Sequence, residues 1–175
     1  MQKSAVDKFL RAGILALTLA LVGVVASTLR DRVVVAGDSA PGFDVTTDTG
    51  RKISVDNFGG KVLVLNFWAT WCPPCISELP SLNAMAQELK GSGVVVLGVS
   101  VDKDEAAYQR FLKKVKLNFE TSRNPSGEIP ADYGTFKYPE TYIIDTNGKV
   151  LEKFIADRNW MEPEILNRLK GYAAK

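Results

Sequence analysis

The sequence predicts an α/β domain carried behind one apolar N-terminal helix, and three observations support that reading. Residues 12–29 form a stretch of eighteen positions without a charge. Two almost wholly apolar runs, Val62-Leu63-Val64-Leu65-Asn66-Phe67 and Val94-Val95-Val96-Leu97-Gly98-Val99-Ser100-Val101, have the composition of strands buried on both faces of a parallel sheet. Between them Ile76, Leu79, Leu82, Met85, Ala86 and Leu89 recur at helical spacing, so the segment reads as a βαβ unit.

The N-terminal run comes first. Eighteen residues at about 1.5 Å each give roughly 27 Å, close to the thickness of a bilayer's hydrocarbon core. Residues 12–29 are therefore expected to be a transmembrane signal-anchor, with residues 1–11 cytoplasmic and residues 30–40 a tether. Lys3, Lys8 and Arg11 precede the run against Asp7, a weak bias toward a cytoplasmic N-terminus that Arg30 and Arg32 partly offset. The rival is a cleaved signal peptide, for which Val24-Val25-Ala26 and Val34-Val35-Ala36 offer small-residue patterns. The run exceeds the roughly 7 to 15 residues of a usual signal core, and only two cysteines exist, with no third for a lipid. Under either reading the remainder is exported to a compartment that forms and keeps disulfides.

Residues 41–175 make one domain of ordinary size. They carry 17 Lys and Arg against 17 Asp and Glu, a balance without the basic excess that nucleic acid requires. Phe43-Asp44-Val45-Thr46 and Lys52-Ile53-Ser54-Val55, joined through Asp48-Thr49-Gly50, predict a hairpin decorating an edge. After the first core strand a helix is expected from Pro73 to about Lys90, with Pro80 inside it as a bend. Residues 104–115 read as a second helix, and Leu117-Asn118-Phe119-Glu120 as a short strand after it. A polar loop at Asn124-Pro125-Ser126-Gly127 leads to a helical piece near residues 129–133. Thr141-Tyr142-Ile143-Ile144 and residues 150–155, linked by Asp145-Thr146-Asn147-Gly148, carry the Asn-Gly signal of a hairpin. Residues 161–173, with Pro163 in the first turn, close the domain as a helix.

Cys72 and Cys75 stand in Trp71-Cys72-Pro73-Pro74-Cys75, where the helix starts. Residues three apart on a helix approach to about 5 to 6 Å between Cβ atoms, within reach of a disulfide. So short a loop gives a bridge little value as a staple, which leaves redox turnover as the reason for the pair. With Cys72 capping the helix, Pro73 and Pro74 lack N–H groups, and the amides of Cys75 and Ile76 together with the helix dipole should favour a Cys72 thiolate. Cys72 is the expected nucleophile and Cys75 the resolving thiol. A closed zinc site would need more ligands than two thiols and no histidine supply, so no metal and no cofactor beyond the Cys72–Cys75 disulfide is expected.

Asn66-Phe67-Trp68-Ala69-Thr70-Trp71-Cys72-Pro73-Pro74-Cys75, Pro80, and Tyr138-Pro139-Glu140-Thr141-Tyr142-Ile143-Ile144-Asp145 together resemble the membrane-anchored thioredoxins of the TlpA, ResA and CcmG (DsbE) type. Ala40-Pro41-Gly42-Phe43 and Gly60-Lys61 match as well, and the resemblance covers nearly the whole exported domain. It implies a thioredoxin-like fold with an N-terminal β-hairpin and an inserted strand and helix. It further implies a cis Pro139 beside the Cys72 sulfur, with the Tyr138 backbone free to pair with a bound polypeptide, and Trp71, Pro73 and Pro74 form the remaining substrate-facing surface. Trp68 is expected in the core and Trp160 as a packing residue.

Two departures from the family pattern follow. Many thioredoxins carry a buried aspartate where this chain has Asn66, so the proton of Cys75 needs another acceptor, for which Glu78 and Glu140 are the candidates. ResA-type proteins place a glutamate between the cysteines where this chain has Pro-Pro. The activity that the resemblance implies is thiol:disulfide exchange in the reducing direction, during cytochrome c maturation, on the periplasmic face of a bacterial cytoplasmic membrane by a monomer. Its partners would be exported proteins with CxxC disulfides, such as apocytochrome c, and a membrane thiol transporter as electron donor. The competing readings are a redox-gated docking module or copper chaperone, and a peroxiredoxin-like peroxidase; the latter needs Thr-x-x-Cys, whereas Thr70 stands two residues before Cys72.

Overall fold

The computed structural model describes residues 2–28 and 33–174, and the chain divides into two compact units. The first is helix α1 (Gln2–Thr28), whose stretch Asp7–Val25 is long and apolar enough to cross a membrane by length and composition. The helix starts at Gln2, ahead of the expected span, and takes in Lys8 and Arg11, both good helix formers. Leu29 and residues 30–32, the expected end of the span and start of the tether, lie outside the described residues.

The second unit begins at Val33, earlier than the expected boundary at residue 41. Val34 is buried and donates its amide to the Tyr133 carbonyl, the Gly37 amide bonds to Val150, and Ser39 bridges to Lys149. Residues 33–40 are thus part of the domain, because Val34 has an apolar site to fill and the backbone has partners.

A five-stranded sheet in the order β5-β4-β3-β6-β7 organises the unit. β3 (Val62–Trp68) is its centre, parallel to β4 (Val94–Ser100) on one side and antiparallel to β6 (Glu140–Asp145) on the other. Every β3 residue is buried, as the apolar run predicts for a strand covered on both faces. β5 (Glu120–Arg123) extends the sheet beyond β4, and β7 (Val150–Ile155) beyond β6.

One face carries α2 (Pro73–Glu88), α3 (Glu105–Lys114) and α5 (Pro163–Ala173), whose Leu79, Leu82, Met85, Tyr108, Ile165 and Leu169 meet Val62, Val64 and Trp68. The opposite face packs Leu63, Leu65, Phe67 and Tyr142 under β1 (Asp44–Thr46), β2 (Lys52–Ser54) and the short α4 (Glu128–Asp132). The hairpin is therefore a cover over that face and not an edge decoration: Ile53, Val55 and Phe58 are buried in it. α2 runs through Pro80 as one helix.

The strand expected at residues 117–120 lies instead at Glu120–Arg123, because Leu117 and Phe119 point into the helical-face core while pairing with β4 starts only at Leu97 opposite Glu120. Gly98 lets Trp68 lie against β4. A Cβ there would come within 2.9 Å of the indole nitrogen and 3.1 Å of the Phe119 ring.

Candidate active site

Cys72 and Cys75 are joined in a disulfide with their Cα atoms 5.3 Å apart. β3 ends at Trp68, and a turn closed by the Cys72 amide on the Ala69 carbonyl (3.3 Å) delivers Cys72 to the N-cap of α2. Pro73 and Pro74 occupy the first turn, so Cys75 carries the first helical amide, and it donates to the Cys72 sulfur at 3.3 Å. The Ile76 amide, expected to face the same sulfur, instead bonds to the Cys72 carbonyl at 3.1 Å. One amide and the helix dipole are thus the local stabilisers of charge on Sγ. Both cysteines are buried, Cys75 completely.

Trp71, 63% exposed, stands edge-on to the half-buried Tyr138 ring, centroids 6.2 Å apart. The Tyr138–Pro139 bond is cis. Trp68 is wholly buried, as expected.

Glu78 lies one turn beyond Cys75 on α2, 3% exposed. Its Oε1 accepts from Asn66 Nδ2 at 2.8 Å and its Oε2 from Trp160 Nε1 at 3.1 Å. Burial pushes the carboxyl from 4.5 up to about 7; the bonds from Trp160, Asn66 and the Arg158 backbone oppose the shift, and the charge of Asp157 adds to it. Asn66 spends its second amide hydrogen on Thr141 Oγ1 at 2.8 Å. The strand amide therefore orients an acid supplied by the helix. Glu78 also lines a cleft of about 330 Å³ with Ser77, Pro80, Ser81 and Asp157.

Glu140 is brought to a different place. In the antiparallel register it faces Phe67, whereas Asn66 faces Thr141, and opposed residues share a face. Glu140 therefore belongs to the sheet face away from α2. There its Oε1 pairs with Lys153 Nζ (2.5 Å) and accepts from the Tyr142 hydroxyl (2.5 Å), with Glu140 3% and Lys153 10% exposed. As a second candidate for the Cys75 proton it fails on placement: it is ion-paired across the sheet from Glu78.

Trp160 is the residue that sequence reasoning undervalued. Its ring packs edge-on to Phe154 as a core residue would, but its N–H is committed to the acid of the site. An indole just ahead of a closing helix gives no sign of that, since the partner is 82 residues away.

The AhpC/TSA family matches residues 36–153 of this chain. The thiol-disulfide oxidoreductase ResA of Bacillus thuringiensis subsp. konkukian is 36% identical over 77% of this chain and 82% of its own length. ResA of Oceanobacillus iheyensis is 32% identical over 98% of this chain and 90% of its own. Among solved structures, a Chlorobium tepidum protein assigned as the thiol:disulfide interchange protein DsbE superposes with a TM-score of 0.67 at 33% identity, over 78% of this chain and 94% of that one.

Proposed function

We propose, from the premise that this chain belongs to the AhpC/TSA family and is a ResA/DsbE-like thiol-disulfide oxidoreductase of thioredoxin-like fold, that it reduces disulfides of exported proteins, apocytochrome c among them, while anchored by α1. The observation that carries this is Cys72 at the N-cap of α2 with the Cys75 amide on its sulfur, beside the exposed Trp71. In the reduced protein the Cys72 thiolate attacks one sulfur of a client disulfide. That S–S bond breaks, a mixed disulfide forms, and the client's departing thiolate takes a proton. Cys75 then gives up its proton and attacks Cys72 Sγ, releasing the second client thiolate and closing Cys72–Cys75. Two electrons pass to the client, and a membrane dithiol carrier restores them.

Glu78 is the proposed acceptor of the Cys75 proton. A carboxyl that titrates near 7 exchanges protons with a thiol without a large mismatch, and a cleft lies beside it. Trp71, Pro73, Pro74 and Tyr138 border the client, Pro139 offers no N–H beside the sulfur, and a client strand can bond to the adjoining backbone. No resident cofactor beyond the disulfide enters this scheme.

The family match also raises a peroxidase. Against it, the Thr70 hydroxyl donates to Asp102 Oδ1 at 2.6 Å, so it is engaged away from the sulfur.

Trapping tests the proposal. A Cys75→Ser chain expressed in cells should accumulate mixed disulfides through Cys72 with exported CxxC proteins, and the wild-type couple should lie nearer thioredoxin's about −270 mV than the about −120 mV of a strong oxidant. Absence of trapped clients, or an oxidising potential, refutes the reductive role.

A further inference from the structure

Asp102 is a buried carboxylate, 2% exposed, in the loop between β4 and α3, outside the pair of acids considered for catalysis. It makes three bonds to side chain and backbone. Oδ2 accepts from the Thr70 amide (2.8 Å) and from the Ser100 hydroxyl (2.5 Å), and Oδ1 accepts from the Thr70 hydroxyl (2.6 Å). Ser100 Oγ in turn accepts from the Asp102 amide at 3.0 Å, so the carboxylate is itself held in one orientation. Behind it, Arg123 of β5 donates to the carbonyls of Asp102 and Lys103 and pairs with Glu105 at 2.8 Å. β5 and the start of α3 are thereby tied to this loop.

Thr70 is followed directly by Trp71 and Cys72. The chain there has left the sheet: Val101 still bonds to the Trp68 carbonyl (3.0 Å), and beyond it the Asp102 clamp and the Ala69–Cys72 turn hold the backbone. A loop that carries an exposed indole and a nucleophile pays conformational entropy at each encounter with a client unless it is fixed beforehand. Two charge-assisted bonds to a single residue supply that fixation.

We propose that Asp102 is a positioning residue for disulfide exchange: by clamping both the amide and the hydroxyl of Thr70 it holds Trp71 against Tyr138 and so presets the surface that receives a polypeptide disulfide. The inference rests on the reading that Cys72 acts on protein disulfides. It assigns β5 and the start of α3 a part in that surface, through Arg123 and Asp102.

The test compares two probes on the full chain in detergent micelles, insulin as a protein disulfide and oxidised glutathione as a small one that does not need the aromatic surface. Asp102→Ala should lower kcat/KM for insulin by about tenfold, chiefly through KM, the loss expected when bound geometry is loosened, and leave the glutathione reaction within about threefold. Asp102→Asn keeps one acceptor and adds a donor for Thr70 Oγ1, and should restore insulin turnover to within about threefold. Thr70→Val removes only the hydroxyl bond and should raise the insulin KM by about threefold, the worth of one hydrogen bond; it also serves if the alanine variant does not fold. Equal losses on both probes, an unchanged insulin KM in Asp102→Ala or in Thr70→Val, or failure of Asp102→Asn to rescue overturns the proposal while the proposed function stands. A wild-type chain inert toward insulin but active on glutathione removes both.

Discussion

Replacing Glu78 by glutamine separates the energetic cost of the buried acid from its bonds. In the folded protein the carboxyl holds its proton up to about pH 7, against 4.5 for the unfolded chain. Between those values the folded state binds a proton that the unfolded state has released, so stability falls as pH rises, by roughly 1.4 kcal/mol per unit and about 3 kcal/mol in total. Below the window both states are protonated and above it both are ionised, so the loss is confined to it. The chain has no histidine, which leaves few other groups to titrate across this range. Glutamine cannot ionise, but it offers one acceptor to two donors, Asn66 Nδ2 and Trp160 Nε1. That mismatch costs about 1 to 3 kcal/mol at every pH. Denaturant unfolding of the oxidised full chain between about pH 5 and pH 8 should then show wild-type stability falling by about 2.5 kcal/mol more than that of Glu78→Gln. Parallel curves for the two proteins would refute a raised proton affinity at Glu78, and with it the basis for its role in proton transfer.

Trp160→Phe removes a donor that favours the ionised Glu78, so the loss of stability should be about 1 kcal/mol greater at about pH 8 than at about pH 5 in the same unfolding assay. Lys153→Met leaves Glu140 buried without its cation and should cost about 3 to 5 kcal/mol, while Lys153→Met combined with Glu140→Gln should recover most of it, as a double-mutant cycle in unfolding free energy would record. Gly98→Ala drives a methyl group toward Trp68 and Phe119 and should lower stability by about 1 to 3 kcal/mol, read as a fall in the unfolding midpoint with an unchanged m-value.

The order of elements, the central βαβ unit, the capping role of Cys72 and the burial of β3 were legible in the residues, because each depends on local chemistry: hydrophobic period, a proline pair at a helix start, two thiols three apart. A motif resemblance extended that reading to the cis Pro139. Where several segments compete for one surface, legibility ended. The hairpin became a cover for one face of the sheet, β5 slid three residues along to seat Leu117 and Phe119, and residues 33–40 joined the domain through Val34.

Strand alternation, once the register is known, decided between the two acids. Glu78 and Glu140 were equivalent as letters, yet one faces Asn66 and Trp160 and the other faces Lys153 across the sheet. The sequence by itself determined which thiols meet and that a helix N-terminus receives one of them, since a disulfide three residues long and a cap are local geometry. Only the tertiary structure decided which carboxyl loses its water, which indole steadies it, and that Asp102 reaches back 32 residues to Thr70. Desolvation and hydrogen bonding act between groups brought together by packing, and sequence separation carries no record of that distance.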